Sequence, residues 1–130
     1  MFLPVTANAQ TNPCQPGSDV AFNPTRFAII SLDHNSTALT QYRFEIKKKS
    51  DFSTVQEIIF LKSVMLPQGS NCFLSPVYTL NDVISKDGTT EYISRYRAES
   101  SNETLNSDWS DTSIPFVLAS KLRVGAILVK

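Results

Sequence analysis

His34 is the only imidazole in the chain, and it stands beside Asp33 in polar text. A hydrolase needs a nucleophile, a base and an orienting group held together. One histidine in a polar stretch reads as a solvated loop residue. Two pairs of carboxylates lie close in sequence, Asp82 with Asp87 and Asp108 with Asp111. Both pairs sit in turn-like text, where aspartate serves the backbone. Neither pair carries the EF-hand spacing of a calcium loop, and the four glycines make no phosphate loop. Cys14 and Cys72 are the only cysteines, with no CxxC and no Cys/His spacing for zinc. One disulfide between them is left open by the sequence. Asn35-Ser36-Thr37 and Asn102-Glu103-Thr104 are glycosylation tripeptides that matter only in a eukaryotic secretory setting. Proline disqualifies Asn23-Pro24-Thr25, and no Arg-Gly-Asp adhesion tripeptide occurs. The expectation is no catalytic residue, no metal and no cofactor.

Composition narrows the classes further. Lys+Arg and Asp+Glu both number 12, so the formal net charge is zero and nothing favours nucleic acid as a partner. Lys47, Lys48 and Lys49 form the only charge run, which a solvated strand end explains. No apolar stretch has the length of a membrane helix. Ala7-Asn8-Ala9 resembles a signal-peptidase site, but the apolar part before it, Phe2 to Val5, is short, contains Pro4 and follows no basic region. The expectation is an uncleaved start. The chain has 130 residues, 42% of them hydrophobic, which suits one domain with a core.

The elements that would hold these residues are strands. Residues 1–18 read as an extended arm, because Pro4, Pro13 and Pro16 lack the amide hydrogen of a helix or central strand. Arg26 to Leu32 is rich in Phe and Ile, and His34-Asn35-Ser36 follows as a turn. Tyr42, Phe44 and Ile46 alternate strictly with Arg43, Glu45 and Lys47, the signature of a half-buried strand. Val55 to Val64 is apolar and β-branched, and Pro67-Gln68-Gly69-Ser70 breaks it. Val77 to Leu80 is a short strand, and Lys86-Asp87-Gly88-Thr89 is a turn. From Tyr92 to Glu99 the text alternates again. Ile114 to Leu118 closes the set. About seven short strands with regular turns predict an all-β, two-sheet antiparallel β-sandwich, with an extended N-terminal arm and an extra C-terminal strand. The divisions are 1–18, 19–120 and 121–130.

The segment from Val77 to Ser110 resembles the second half of fibronectin type III domains. Tyr92 falls at that family's tyrosine-corner position, followed by Arg95, Tyr96, Arg97 and Ala98, and Trp109-Ser110 matches the approach to the final strand. The resemblance implies a fibronectin type III-like sandwich, with a related immunoglobulin-like one as the alternative; the expected core is Tyr42, Phe44 and Ile46 from the alternating strand with Tyr96, Ala98 and Trp109 from the resembling segment. It also implies that the Tyr92 hydroxyl bonds to backbone upstream. The chain departs from the pattern where Leu32 stands in place of a core Trp and Ser94 in place of an apolar residue. Trp109-Ser110 also resembles half of the cytokine-receptor WSxWS box.

Three apolar features exceed what a lone module needs. Ile58, Ile59, Phe60 and Leu61 put large groups on both faces of one strand. If Ala28, Ile30 and Leu32 point inward, Phe27 and Ile29 point outward. Leu122 to Val129 continues apolar past the last strand, and an extra edge must pair. The interface expected from these is Phe2, Val5, Phe27, Ile29, Ile58, Phe60, Leu122, Val124 and Ile127. The functional expectation is a non-enzymatic structural subunit of a large assembly, such as a capsid decoration (cement) or tail accessory protein of a phage or virus particle. Its partners are then shell or tail subunits, or itself, and its place the virion. The alternative is a secreted or cell-surface adhesion module, which predicts a Cys14–Cys72 disulfide.

Overall fold

A computed structural model describes Cys14, residues 19–122 and residues 124–129. The strands in chain order are β1 (Val20–Phe22), β2 (Ala28–Ile30), β3 (Leu39–Lys48), β4 (Thr54–Leu61), β5 (Leu66–Gly69), β6 (Cys72–Leu74), β7 (Asp87–Ser100) and β8 (Phe116–Ala119). Single 3-10 turns occupy Lys62–Val64 and Glu103–Leu105. A five-stranded sheet runs β1-β8-β7-β3-β4 and a three-stranded sheet runs β2-β6-β5. The protein is therefore all-β with two sheets, an arrangement compatible with a β-sandwich.

The longest strands carry the clearest alternation. On β3, Tyr42, Phe44 and Ile46 are buried. Their β7 partners across the ladder are Ala98, Tyr96 and Ser94. Cross-strand pairs of this kind hold a sheet together. Phe44 is the hub of the core. Its ring lies 5.2 Å from Phe27, 5.6 Å from Phe60 and 5.8 Å from Tyr96. Tyr96 and Ala98 pack on the core but stay partly exposed. The Tyr92 hydroxyl accepts the Ser85 amide at 2.7 Å, so a buried ring keeps its polar end satisfied by backbone seven residues upstream.

Several expectations are corrected. One ladder is parallel, because β1 runs alongside β8 with Val20 opposite Val117. Strands β1, β5 and β6 lie where the sequence shows turn residues and short mixed text. β5 contains Pro67, tolerated because this strand is an edge. The Val77–Leu80 strand is a single bridge between Tyr78 and Thr25. The phase of β2 is the reverse of that expected. Ile29 is 2% exposed and Phe27 packs on the core, whereas Ile30 and Leu32 are 53% and 77% exposed. The larger set, Phe27 with Ile29, fills more space against Phe44 than Ala28 could. Ser75 fixes this phase, since its amide donates to the Phe27 carbonyl and its hydroxyl accepts the Phe27 amide.

Candidate interface and the outer sheet face

The outer face of the five-stranded sheet is closed by its own side chains. Arg95 and Arg97 project from β7 on the side away from Tyr96, and the Trp109 ring lies against both. The guanidinium carbons stand 4.4 Å and 4.7 Å from the ring centroid. Arg95 also approaches Phe52 at 5.4 Å, and the Lys47 ammonium lies 4.1 Å from that ring. The result is an alternating row of Lys47, Phe52, Arg95, Trp109 and Arg97, in which each ring meets a cation. Trp109 was expected in the core. It stands on the outer face instead, because its segment docks along the open side of β7.

That docking has a simple repeat. Every third residue of the segment meets every second residue of β7. The amides of Ser107, Ser110 and Ser113 donate to the carbonyls of Ala98, Tyr96 and Ser94 at 2.8 to 2.9 Å. Their hydroxyls accept the amides of the same three residues at 2.9 to 3.0 Å. Each hydroxyl proton goes to the carbonyl of the following residue. β8 pairs with β7 only between Asp87 and Tyr92. The serines therefore satisfy the stretch that β8 leaves open, which removes an unpaired edge.

Carboxylates bind the row to β3 and β4. Glu45 meets Arg95 at 2.7 Å and Glu57 meets Arg43 at 2.7 Å. Glu99 takes Gln41 on one oxygen, and Arg43 and Arg97 on the other. Burial raises the Glu99 pKa, but the donors from Arg43, Gln41 and Arg97 together outweigh it and hold the carboxyl at about 2.

His34 lies at one end of the core. Its ring stacks 3.9 Å from Phe73 and its Nδ1 meets the Tyr42 hydroxyl at 2.8 Å. That hydroxyl also meets Ser31 at 2.6 Å. Burial, then the charge of Lys62, lowers the His34 pKa. Tyr42 is fully buried, so this chain of hydroxyls faces the core. Asp87 turns its carboxylate onto the amides of Thr89 and Thr90, 2.8 and 2.9 Å away. The largest of those bonds, from the Thr90 amide, leads the lowering of its pKa. Among the described residues no group of three His, Cys, Asp or Glu is placed to hold a metal ion.

The apolar residues expected at an interface divide. Ile58 and Phe60 are buried, so β4 presents Ile59 and Leu61 outward instead, 46% and 56% exposed. The alternation of β4 explains the correction: four consecutive apolar residues must split between its faces, and Phe60 packs on Phe44. Phe27 and Ile29 belong to the core. Phe2 and Val5 lie outside the described residues. Leu122, Val124 and Ile127 are 82 to 94% exposed, and Leu128 and Val129 are equally bare. The expected extra strand is absent, since residues 122 and 124–129 pair with no sheet of this chain. Among the described residues β4 forms the edge of its sheet, with β3 as its only neighbour.

Sequence reasoning missed Ile59, Leu61 and Phe52. The first two were visible in the apolar run, and only the choice of face was wrong. Phe52 lies in a turn at φ 60°, a conformation that no periodicity announces. Cys14 and Cys72 are bonded as a disulfide with their Cα atoms 6.0 Å apart. Compared with known proteins, the chain matches no family model, no curated protein and no solved structure.

Proposed function

We infer that this chain is a non-enzymatic, fibronectin type III-like binding module of an oxidising compartment, which associates with a second copy through its C-terminal segment. The observation that carries this reading is the bare apolar run of residues 122 and 124–129, together with a β4 of matching length whose outer edge is open among the described residues. An exposed apolar strand sequence and an open sheet edge complete each other by strand addition. The chain's own β4 is out of reach. It stands three strands from β8, roughly 14 Å at the usual strand spacing, and only Ser120 and Lys121 bridge the gap. Ile59 and Leu61 would gain apolar cover from the incoming strand. The Cys14–Cys72 disulfide supports an extracellular setting, because such bonds are rare in reducing compartments.

Native mass spectrometry of the full chain, and of a chain ending at Ser120, tests the reading. Concentration-dependent oligomers of the full chain and a folded monomer of the shorter one are expected. A full chain that stays monomeric at tens of micromolar rules out the second copy as partner.

The apolar segment also favours a second reading, a subunit of a virus or phage particle. There the partner would be a shell or tail protein. In that case a monomeric chain would bind assembled shells through Leu122–Val129 and lose them on truncation.

A further inference from the structure

Three Asn-x-Ser/Thr tripeptides occur, and the fold sorts them. Asn23 is partly buried, its Oδ1 accepts the Leu80 amide at 2.8 Å, and Pro24 follows it. Asn35 and Asn102 are both exposed, each in a loop outside the sheets. At Asn102 the side-chain carbonyl accepts the Thr104 hydroxyl at 2.8 Å and the Thr104 amide at 3.3 Å. The hydroxyl that the tripeptide requires is thus already set against the acceptor asparagine, and the Asn102 Nδ2 holds no hydrogen bond among the described residues.

Both loops belong to the same end of the fold. Leu39, which follows the Asn35 loop, is opposite Ser100, which precedes Asn102. Asp33 and Ser36 from one loop and Leu105 and Ser107 from the other line a single cavity. The C-terminal segment leaves from the far end of β7, where Ala119 pairs with Asp87. The Cys14–Cys72 disulfide is an independent sign of an oxidising compartment, the setting in which such tripeptides are modified.

We propose that Asn35 and Asn102 are N-glycosylation sites. The inference rests on the extracellular reading of the module. The donor is a diphosphate-activated oligosaccharide used by a separate transferase. The asparagine Nδ2 forms a bond to the anomeric carbon as the bond from that carbon to the diphosphate oxygen breaks. The diphosphate leaves with the electron pair, and one Nδ2 proton passes to the transferase's base. Two glycans at this end would shield it and leave the C-terminal segment, which departs from the opposite end, for protein contact.

The full chain, secreted from a eukaryotic cell behind a supplied signal, is digested with a glycan-releasing amidase and mapped by peptide mass. Asp is expected in place of Asn at positions 35 and 102, and unchanged Asn at 23. Thr37→Ala and Thr104→Ala should each abolish one glycan, and Thr104→Ser should restore the second. A secreted protein with an intact Cys14–Cys72 bond and unmodified Asn35 and Asn102 overturns this inference and leaves the extracellular reading standing. Free thiols in the secreted protein would overturn that reading itself.

Discussion

The Glu99 carboxylate accepts a hydrogen bond from Arg43 Nε at 2.8 Å on a sheet face that strand alternation assigns to solvent. Glu99 is nonetheless 6% exposed, because Arg97, Gln41 and Arg43 close over it. A carboxyl held at about 2 against an ordinary 4.5 binds its proton less readily in the folded state than in the unfolded one. Its contribution to stability is complete above about 4.5 and fades as the pH falls toward 2. The shift bounds that contribution at about 3 kcal/mol, by the usual conversion of a pKa difference to free energy. Glu99→Gln should lower stability at pH 7 by up to that amount and flatten the pH dependence between 4.5 and 2. Urea denaturation of both proteins across this range would reveal it, and parallel curves would disprove it.

Tyr92→Phe should cost about 1–2 kcal/mol with no change in fold. The substitution removes only the oxygen that accepts the Ser85 amide at 2.7 Å. That amide belongs to a half-buried residue, and the ring position is 1% exposed, so water replaces the lost acceptor poorly. Thermal denaturation followed by far-UV circular dichroism gives the size. A neutral substitution would mean the corner bond contributes nothing.

How far the sequence disclosed this arrangement differs from strand to strand. β3 and β7 were legible because they are long and half-buried, so period-two alternation repeats enough to be read. β2 was legible as a strand but not in phase. With Phe27, Ala28, Ile29 and Ile30 in a row, both faces are apolar, and only the Ser75 bonds across to Phe27 choose between them. β4 had the same difficulty over Ile58 to Leu61. β5 and β6 were invisible because they have only four and three residues, β5 includes Pro67 and Gly69, and β6 gets its pairing from β2 and β5 on either side. Tyr92 was readable from its motif. Trp109 was misplaced because its position follows from the serine contacts to β7, which have a period of three and match neither helix nor strand.

Trp109→Ala decides between a core and an outer-face tryptophan. Truncating a core Trp costs about 3–5 kcal/mol. A ring held by Arg95 and Arg97 on the outer face should cost about 1–2 kcal/mol, the sum of two partly exposed cation–π contacts. Trp109→Phe should recover part of the loss, since a smaller ring still stacks. Trp109 is the only tryptophan, so its fluorescence in the parent protein reports this face alone. Acrylamide should quench it readily, and strong protection together with a cost above 3 kcal/mol would return it to the core.

Cys14→Ser should destabilise the protein by about 4 kcal/mol, the loop-entropy figure for a closed loop of this size. The bond joins residues 58 apart and so ties the chain before β1 to β6 of the smaller sheet. Without it, β2, β5 and β6 are held to the larger sheet by packing and a few bonds such as that from the Tyr96 hydroxyl to the Ile30 carbonyl. Cys72→Ser should cost somewhat more, because residue 72 is 5% exposed and the new hydroxyl must be buried. The double variant should match Cys72→Ser alone, since both lesions open the same loop. Chemical denaturation of the three variants and of the reduced parent tests this. If the double variant loses the sum of the two single losses, the cysteines act through separate contacts and not through one cross-link.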